Sequence, residues 1–273
     1  MKHFFWFYTI LLVAFSSCIN PSGKNNDEEI NIDSILALPP DTLEWEELEI
    51  PAGADGLFDD FFFNFVRNSR FQEERIAFPL PVHNGKVTSK IDSDEWTFDR
   101  LESLQEVNTM IFDHEADLSC SQDTSVNNVT IDFIYFNCDS VQQYVFNRIE
   151  GRWKLTQLNW LPFKQHPDGN FYAFYKAFAN DSVFQRRSIR NPFEFKTYEE
   201  YSNEEITGEV DVDTWWECCP ELPKEILTNI NYGQCLHKSK ERYLVITSLS
   251  AGMSSTLKFR RDKRQWKLVA LEN

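Results

Sequence analysis

Residues 55–79 return at 168–192 without a gap, an offset of 113, with 10 identities in 25 positions. Asp55-Gly56, Phe58, Phe61, Phe65, Ser69, Phe71-Gln72, Ile76 and Pro79 fall on Asp168-Gly169, Phe171, Phe174, Phe178, Ser182, Phe184-Gln185, Ile189 and Pro192. The same offset closes each copy, where Phe146, Arg148, Trp153-Lys154-Leu155 and Leu158 fall on Phe259, Arg261, Trp266-Lys267-Leu268 and Leu271. Two matched ends at one spacing mean two copies of one fold in tandem, and self-similarity of this kind constrains architecture before any local motif does. We place the copies at residues 55–163 and 164–273.

Each copy opens with Phe at i, i+3 and i+7, a single helical stripe, and the Asp-Gly just ahead supplies a start signal. Gln143 to Arg148 and Arg152 to Leu158 alternate around Ile149-Glu150-Gly151, and Ser255–Phe259 with Gln265–Leu271 repeat the pattern, so each copy closes with a β-hairpin. Asn128 to Phe136 and Arg242 to Leu249, rich in β-branched and aromatic residues, read as central strands. Pro79 to Lys86 combines a turn with an edge-type strand, because Pro cannot donate to a central ladder. Helix first and antiparallel strands after is an α+β order. The expectation is a pair of tandem duplicated cone-like domains, each an N-terminal helix packed on a curved antiparallel sheet.

Ahead of the repeats, Met1-Lys2-His3, an apolar run from Phe4 to Phe15 and Ser16-Ser17-Cys18 have the three regions of a secretory signal, spanning residues 1–17. The run is shorter than the ~20 residues a membrane-spanning helix needs. Phe15-Ser16-Ser17-Cys18 resembles the lipobox of bacterial lipoproteins, with Phe15 where a smaller aliphatic residue usually stands, and implies lipid attachment at Cys18. Residues 18–54, polar, acidic and Pro-bearing, then read as a tether. The expected location is the cell envelope, as an outer-membrane lipoprotein facing the periplasm or the cell surface. Cleavage removes only Lys2 among the charges and leaves 26 basic against 43 acidic side chains, a formal −17. Such a charge repels a polyanion and argues against a nucleic-acid partner.

The helix-then-sheet order resembles the cone of the nuclear transport factor two superfamily, with its cystatin-like arrangement of sheet around helix. The stretch Phe61 to Leu80, with Phe71-Gln72-x-x-Arg75-Ile76-x-Phe78-Pro79-Leu80, is similar to a lipoprotein family of gut anaerobes described as a domain of unknown function. The second copy departs from it, with Ser188 in place of Arg75 and Asn191 in place of Phe78. The resemblance implies a fold and a location and carries no chemistry.

Candidate ligand contacts are few. Trp96, Trp160, Trp215 and Trp216 offer broad apolar faces with one donor each, suited to sugars or aromatic ligands, or to a core. Gln72 and Gln185 recur beside a Phe in both copies, where a buried amide ties down backbone groups or meets a ligand. Arg75 belongs to the same motif. His114, between Asp113 and Glu115, has the surroundings of a general base and equally of a solvated loop. An oxidising envelope permits disulfides among Cys120, Cys138, Cys218, Cys219 and Cys235, with Cys120–Cys138 and Cys218 or Cys219 with Cys235 as the local pairings. No CxxC, His-spaced pair, phosphate loop or nucleophile elbow occurs, so no metal, cofactor or catalytic residue is assigned. Two function classes fit. One is a noncatalytic envelope lipoprotein binding a small ligand, a glycan or an envelope protein; the alternative is a small-molecule isomerase or hydrolase built in one cone cavity. A cone interior filled by Phe favours the first.

Overall fold

The Phe stripe forms helix α1, Phe58–Phe65, and buries Phe58, Phe61 and Phe65 on one side. A second short helix, α2 at Ser69–Glu74, starts at Asn68, whose side chain accepts the Phe71 amide at 2.9 Å and so satisfies one of the exposed helix-start donors. The second copy repeats the pair as α3, Gly169–Asn180, and α4, Ser182–Arg187, with Asp181 accepting from the Val183 and Phe184 amides. Gly169 is required where α3 begins, since a Cβ there would meet the Phe163 carbonyl at 1.7 Å. This computed structural model describes residues 54–101, 107–199, 204–233, 239–248 and 253–273, all within one compact unit. The signal segment, Cys18, nearly all of the tether, Cys235 and His237 lie outside the described residues.

Among the described residues each copy contributes six strands. The first copy gives β1 (Leu80–Asn84), β2 (Val87–Ile91), β3 (Val107–Phe112), β4 (Asn128–Tyr135), β5 (Ser140–Ile149) and β6 (Arg152–Pro162). The second gives β7 (Ile189–Tyr198), β8 (Glu205–Val210), β9 (Ile226–Asn231), β10 (Glu241–Ser248), β11 (Ser254–Asp262) and β12 (Gln265–Glu272). The expected hairpins are β5–β6 and β11–β12. Glu150 and Gly151, at φ of 50° and 79°, form the tight turn between the first pair, the backbone hand that suits twisted strands. Both sheets are antiparallel apart from one parallel pairing each, β1 with β6 and β7 with β12. Contrary to the edge-type strand expected after Pro79, the edge strand is β2 and β1 lies inside the sheet; Pro81 is accommodated because the pairing with β6 begins only at Val82.

The sheets do not follow the repeat boundary. One has the order β2-β1-β6-β5-β4-β9 and the other β3-β10-β11-β12-β7-β8. Each copy therefore lends its third strand to the other's sheet. β4 pairs with β9 from Thr130↔Asn231 to Tyr135↔Ile226, and β10 pairs with β3 from Tyr243↔Phe112 to Ser248↔Val107. Where the two lent strands meet, Thr109 and Thr228 exchange bonds reciprocally. The Thr109 amide donates to Thr228 Oγ1 at 3.1 Å and the Thr228 amide to Thr109 Oγ1 at 2.9 Å, while the hydroxyls reach the opposite carbonyls at 2.6 and 3.2 Å. Equivalent residues making equivalent bonds mark a local two-fold axis through the molecule.

Inside each cone the aromatic core is built twice to the same plan. Phe58 packs on Phe146 and Trp153 at 5.3 and 5.1 Å between ring centres, and Phe171 on Phe259 and Trp266 at 5.4 and 5.2 Å. Phe65 meets Phe146 edge-on at 5.2 Å, as Phe178 meets Phe259 at 5.3 Å, the offset geometry that aromatic rings prefer. The expected role of the stripe, docking each helix on its sheet, is what the structure has. Helix α3 buries a second face as well. Tyr172 and Tyr175 join Ile134, Val141 and Leu227 from the outer face of the first sheet in the second core. Among the described residues no helix is long and apolar enough to cross a membrane.

The threonine exchange predicts a coupled loss. Thr109→Val and Thr228→Val should each cost about 1–3 kcal/mol, because each leaves buried partners unsatisfied. The double variant should cost clearly less than the two together, since both remove one network. Denaturant unfolding of the four proteins of the cycle checks this, and additive losses would contradict a shared axis.

Candidate functional site

Asp55 and Asp168, the residues that open each copy, hold an arginine in both, but not the same one. In the first copy Arg75, at the end of α2, donates to both Asp55 oxygens at 2.7 and 2.9 Å, and the Trp153 amide adds a third bond to Oδ1 at 2.9 Å. Burial by itself raises the Asp55 pKa, yet the bonds from Arg75 and Trp153 and the guanidinium charge outweigh it and hold the carboxyl below its ordinary range. Its contribution to stability is therefore full at neutral pH and is lost as the pH falls through that lowered value. In the second copy Ser188 replaces Arg75, and Arg242 of β10 reaches Asp168 instead, with bonds of 2.7 and 2.9 Å between side chains that are only 2% and 3% exposed. Val129 stands where Arg242 would be in the first copy. Arg75 is thus a structural pin, carried in the second copy by a different element.

The glutamines are both buried and bonded to their own cones. Gln72, fully buried, donates to Phe65 O at 3.0 Å and Asp99 O at 2.7 Å, and accepts from Trp96 Nε1 at 3.0 Å and the Asp99 amide at 2.9 Å. Gln185 donates to Phe178 O at 2.9 Å and accepts from Trp215 Nε1 at 3.1 Å. Four of the residues singled out in the sequence, Gln72 with Trp96 and Gln185 with Trp215, thereby form one brace in each cone. The two tryptophans are 119 residues apart rather than 113, so an ungapped self-comparison does not align them.

Beyond the Phe-filled part, the inner face of the first sheet carries a row of aromatic and amide groups that the sequence reading named only at Trp160. Tyr135 and Trp160 stack at 5.7 Å and 17°, both half-buried. Tyr135 donates to Gln142 Oε1 at 3.1 Å, Gln142 Nε2 to the Tyr144 hydroxyl at 2.9 Å, and Tyr144 to Asp99 Oδ2 at 2.7 Å. Burial, then the Asp99 carboxylate, pushes the Tyr144 hydroxyl up, so it stays protonated as the donor in this chain. At the 113 offset the second cone has Ser248, Ser255, Leu257 and Asn273 in these places. The shelf is private to the first cone. A signal was available in the alternation of β5 and β6, which sets Gln142 and Tyr144 on the face of Phe146, and Trp160 on that of Leu158 once a bulge between Leu155 and Gln157 is counted.

The second cone has an open cleft of about 550 Å³ instead, lined by Val107, Gln185, Trp216, Cys219, Leu222 and Lys224 among others. Trp216 is 50% exposed there, whereas its neighbour Trp215 is buried. Cys218 and Cys219, on and just after the one-turn helix α5 (Trp215–Cys218), are free thiols, as is the exposed Cys138. The expected Cys120–Cys138 bridge is therefore not formed, and Cys235, the partner in the other expected bridge, lies outside the described residues. Cys138 points instead to the Ser140 hydroxyl at 2.9 Å, and burial raises both adjacent thiols.

His114 joins neither place. Its side chain is 68% exposed, with Nε2 4.0 Å from an Asp113 carboxyl whose pKa is raised by burial and by a bond shared with Asp117. A histidine with a defined structural role is His166, which the sequence analysis did not single out. It is buried beside Tyr172, accepts the Asp168 amide at Nδ1 and turns Nε2 toward Asp132 at 3.4 Å, fastening the junction of the copies to β4. Among the described residues no three His, Cys, Asp or Glu side chains gather into a metal-ligating group.

With this geometry in hand, comparison places the chain among others. The family described as a domain of unknown function (DUF4348) matches residues 41–273. The chain is also similar to an NTF2-like protein from Bacteroides fragilis of known crystal structure, at 36% identity and a TM-score of 0.72, over 81% of this chain and 97% of that one. No curated protein matches.

The relocated arginine gives a test of the pin. Arg242→Val should cost about 3–5 kcal/mol by leaving Asp168 buried and unpaired. Adding Ser188→Arg, which restores the arrangement of the first copy, should recover a measurable part of the loss in thermal unfolding. No recovery would mean that the two aspartates are not equivalent.

Proposed function

The chain belongs to the DUF4348 family and has the NTF2-like fold, and on that premise we propose that it is a noncatalytic binding module held at the cell envelope by a lipid on Cys18. The observation that carries the reading is the contrast inside the first cone. Its depth is filled by Phe58, Phe61, Phe65, Phe146 and Trp153, and farther along the same sheet face stand the half-buried, stacked Tyr135 and Trp160 with Gln142 beside them. A site with an apolar floor, one flat aromatic face and a few fixed polar groups is built to hold and orient a small ligand. Among the described residues, Trp160 Nε1 has no protein partner, and Gln142 has an N–H and a lone pair to spare.

A neutral sugar suits this shelf. Its C–H face lies against an indole, and its hydroxyls both donate and accept, which matches a carboxamide that offers one of each. The chain of bonds from Gln142 through Tyr144 to Asp99 fixes the amide orientation before any ligand arrives, so little ordering is needed on binding. The net charge of −16 further disfavours anionic glycans. The lipobox-like residues 15–18 and the acidic tether support attachment to a membrane with the cones standing clear of it.

Two measurements test the reading. Titration of the protein with a panel of neutral oligosaccharides should give saturable quenching of tryptophan fluorescence for at least one sugar. Trp160→Ala should weaken that binding tenfold or more, about 1.4 kcal/mol, with an unchanged melting temperature. Absence of binding at millimolar sugar, or equal binding by the variant, sinks the shelf. Separately, Cys18→Ala should move the protein from the membrane to the soluble fraction of the envelope; retention on the membrane would contradict the lipid anchor.

A further inference from the structure

The two glutamine braces differ in one respect, and the difference defines a second site. A primary amide has two N–H donors and two acceptor lone pairs. Gln72 uses all four, and two of its bonds come from the amide and carbonyl of one residue, Asp99, at 2.9 and 2.7 Å. In an extended chain these two groups of a residue point to the same side, which is how one strand presents itself to an antiparallel neighbour. Gln72 therefore reads Asp99 as a rung of a ladder. This is possible because the chain after Trp96 runs on without helical structure through residues 97–101.

Gln185 has the same place on α4 and the same two inner bonds, to Phe178 O and from Trp215 Nε1. The second pair is missing among the described residues. After Trp215 the chain winds on as a helix to Cys218 and leaves through Cys219-Pro220, so among the described residues no backbone group bonds the glutamine there as Asp99 bonds Gln72. Gln185 is only 5% exposed, yet half of its hydrogen-bonding capacity is unused and it lines the 550 Å³ cleft. Leaving a buried polar group half satisfied is costly, and the first cone contains the arrangement that satisfies it.

We propose that the cleft of the second cone binds an extended peptide segment of a partner protein, one residue of which gives its N–H to Gln185 Oε1 and takes Nε2–H on its carbonyl, as Asp99 does with Gln72. Trp216, Val107 and Leu222 supply apolar contact for side chains on either side of that residue, and Glu221 and Glu225 against the single Lys224 select a neutral or basic segment. This site is independent of the sugar shelf, which lies in the other cone and shares no residue with it, so failure of either leaves the other standing.

The test uses a capped pentapeptide, acetyl-Thr-Phe-Asn-Arg-Leu-amide, patterned on residues 97–101 of the chain itself. Asn replaces the central Asp because Leu257 stands where Tyr144 receives the Asp99 carboxylate. A control peptide carries an N-methyl group on the central Asn and so lacks the one N–H that the proposal requires, with no change to the protein. Calorimetry should show saturable binding of the first peptide to the intact protein, at least tenfold weaker binding of the N-methyl control, and a similar loss with Trp216→Ala, whose side chain is outside the core. In NMR spectra the Gln185 side-chain amide resonances should shift, and those of Gln72 should not. Equal binding of the two peptides, or no shift of Gln185 at millimolar peptide, would overturn the proposal.

Discussion

The fold depends on a reciprocal loan of strands. Neither copy of the repeat completes its own sheet, because β3 lies beside β10 and β9 beside β4. The four bonds between Thr109 and Thr228 fix where the two lent strands cross, and everything on either side is positioned from that point. Ile111 and Leu227 carry the consequence into the interior, each lying in the second core although they belong to different copies and different sheets. The outer face of β4 then becomes a wall of the second cone, which explains why α3 must bury Tyr172 and Tyr175 as well as its Phe stripe.

A duplicated chain also contains its own comparison. Positions that match in both copies, such as Phe58 and Phe171, Trp153 and Trp266, or Asp55 and Asp168, prove to be packing and pinning residues. The surroundings of those shared positions are where the copies differ. Tyr135, Tyr144 and Trp160 correspond at the 113 offset to Ser248, Leu257 and Asn273, which gives the first cone a shelf that the second lacks. The path of the chain after Trp96 and after Trp215 differs in the same way, closing over one glutamine and leaving a cleft beside the other. The arginine on the opening aspartate shows a third kind of change, in which the interaction is kept and the residue supplying it moves.

The helices, the closing hairpins and the tandem arrangement were legible because each is written in local periodicity or in a constant offset. The strand exchange was not. Alternation in Val107–Phe112 and Ile226–Asn231 tells which side chains face inward, and that answer is the same whether a strand pairs within its own copy or with the other. The braces were half legible: Gln72 and Gln185 stood out by repetition, but their tryptophan partners are displaced by six residues of extra chain in the second copy. His166 was missed because its burial comes from Asp132 and Tyr172, neither of which has a sequence relation to it. Of the expected disulfides, Cys120–Cys138 is not formed: the Cys138 thiol lies exposed in the turn before β5, next to the Ser140 hydroxyl.

The most direct test of the exchange is disulfide trapping in a protein whose native cysteines after Cys18 are replaced by serine. The structure pairs Thr130 with Asn231, whereas a copy that kept its own third strand would pair Thr130 with Phe112, the counterpart of Asn231 at the offset of 119 that relates Thr109 to Thr228. Thr130→Cys with Asn231→Cys should oxidise rapidly to a single intramolecular bridge, and Thr130→Cys with Phe112→Cys should not. The opposite pattern would show that each copy completes its own sheet and would contradict the account.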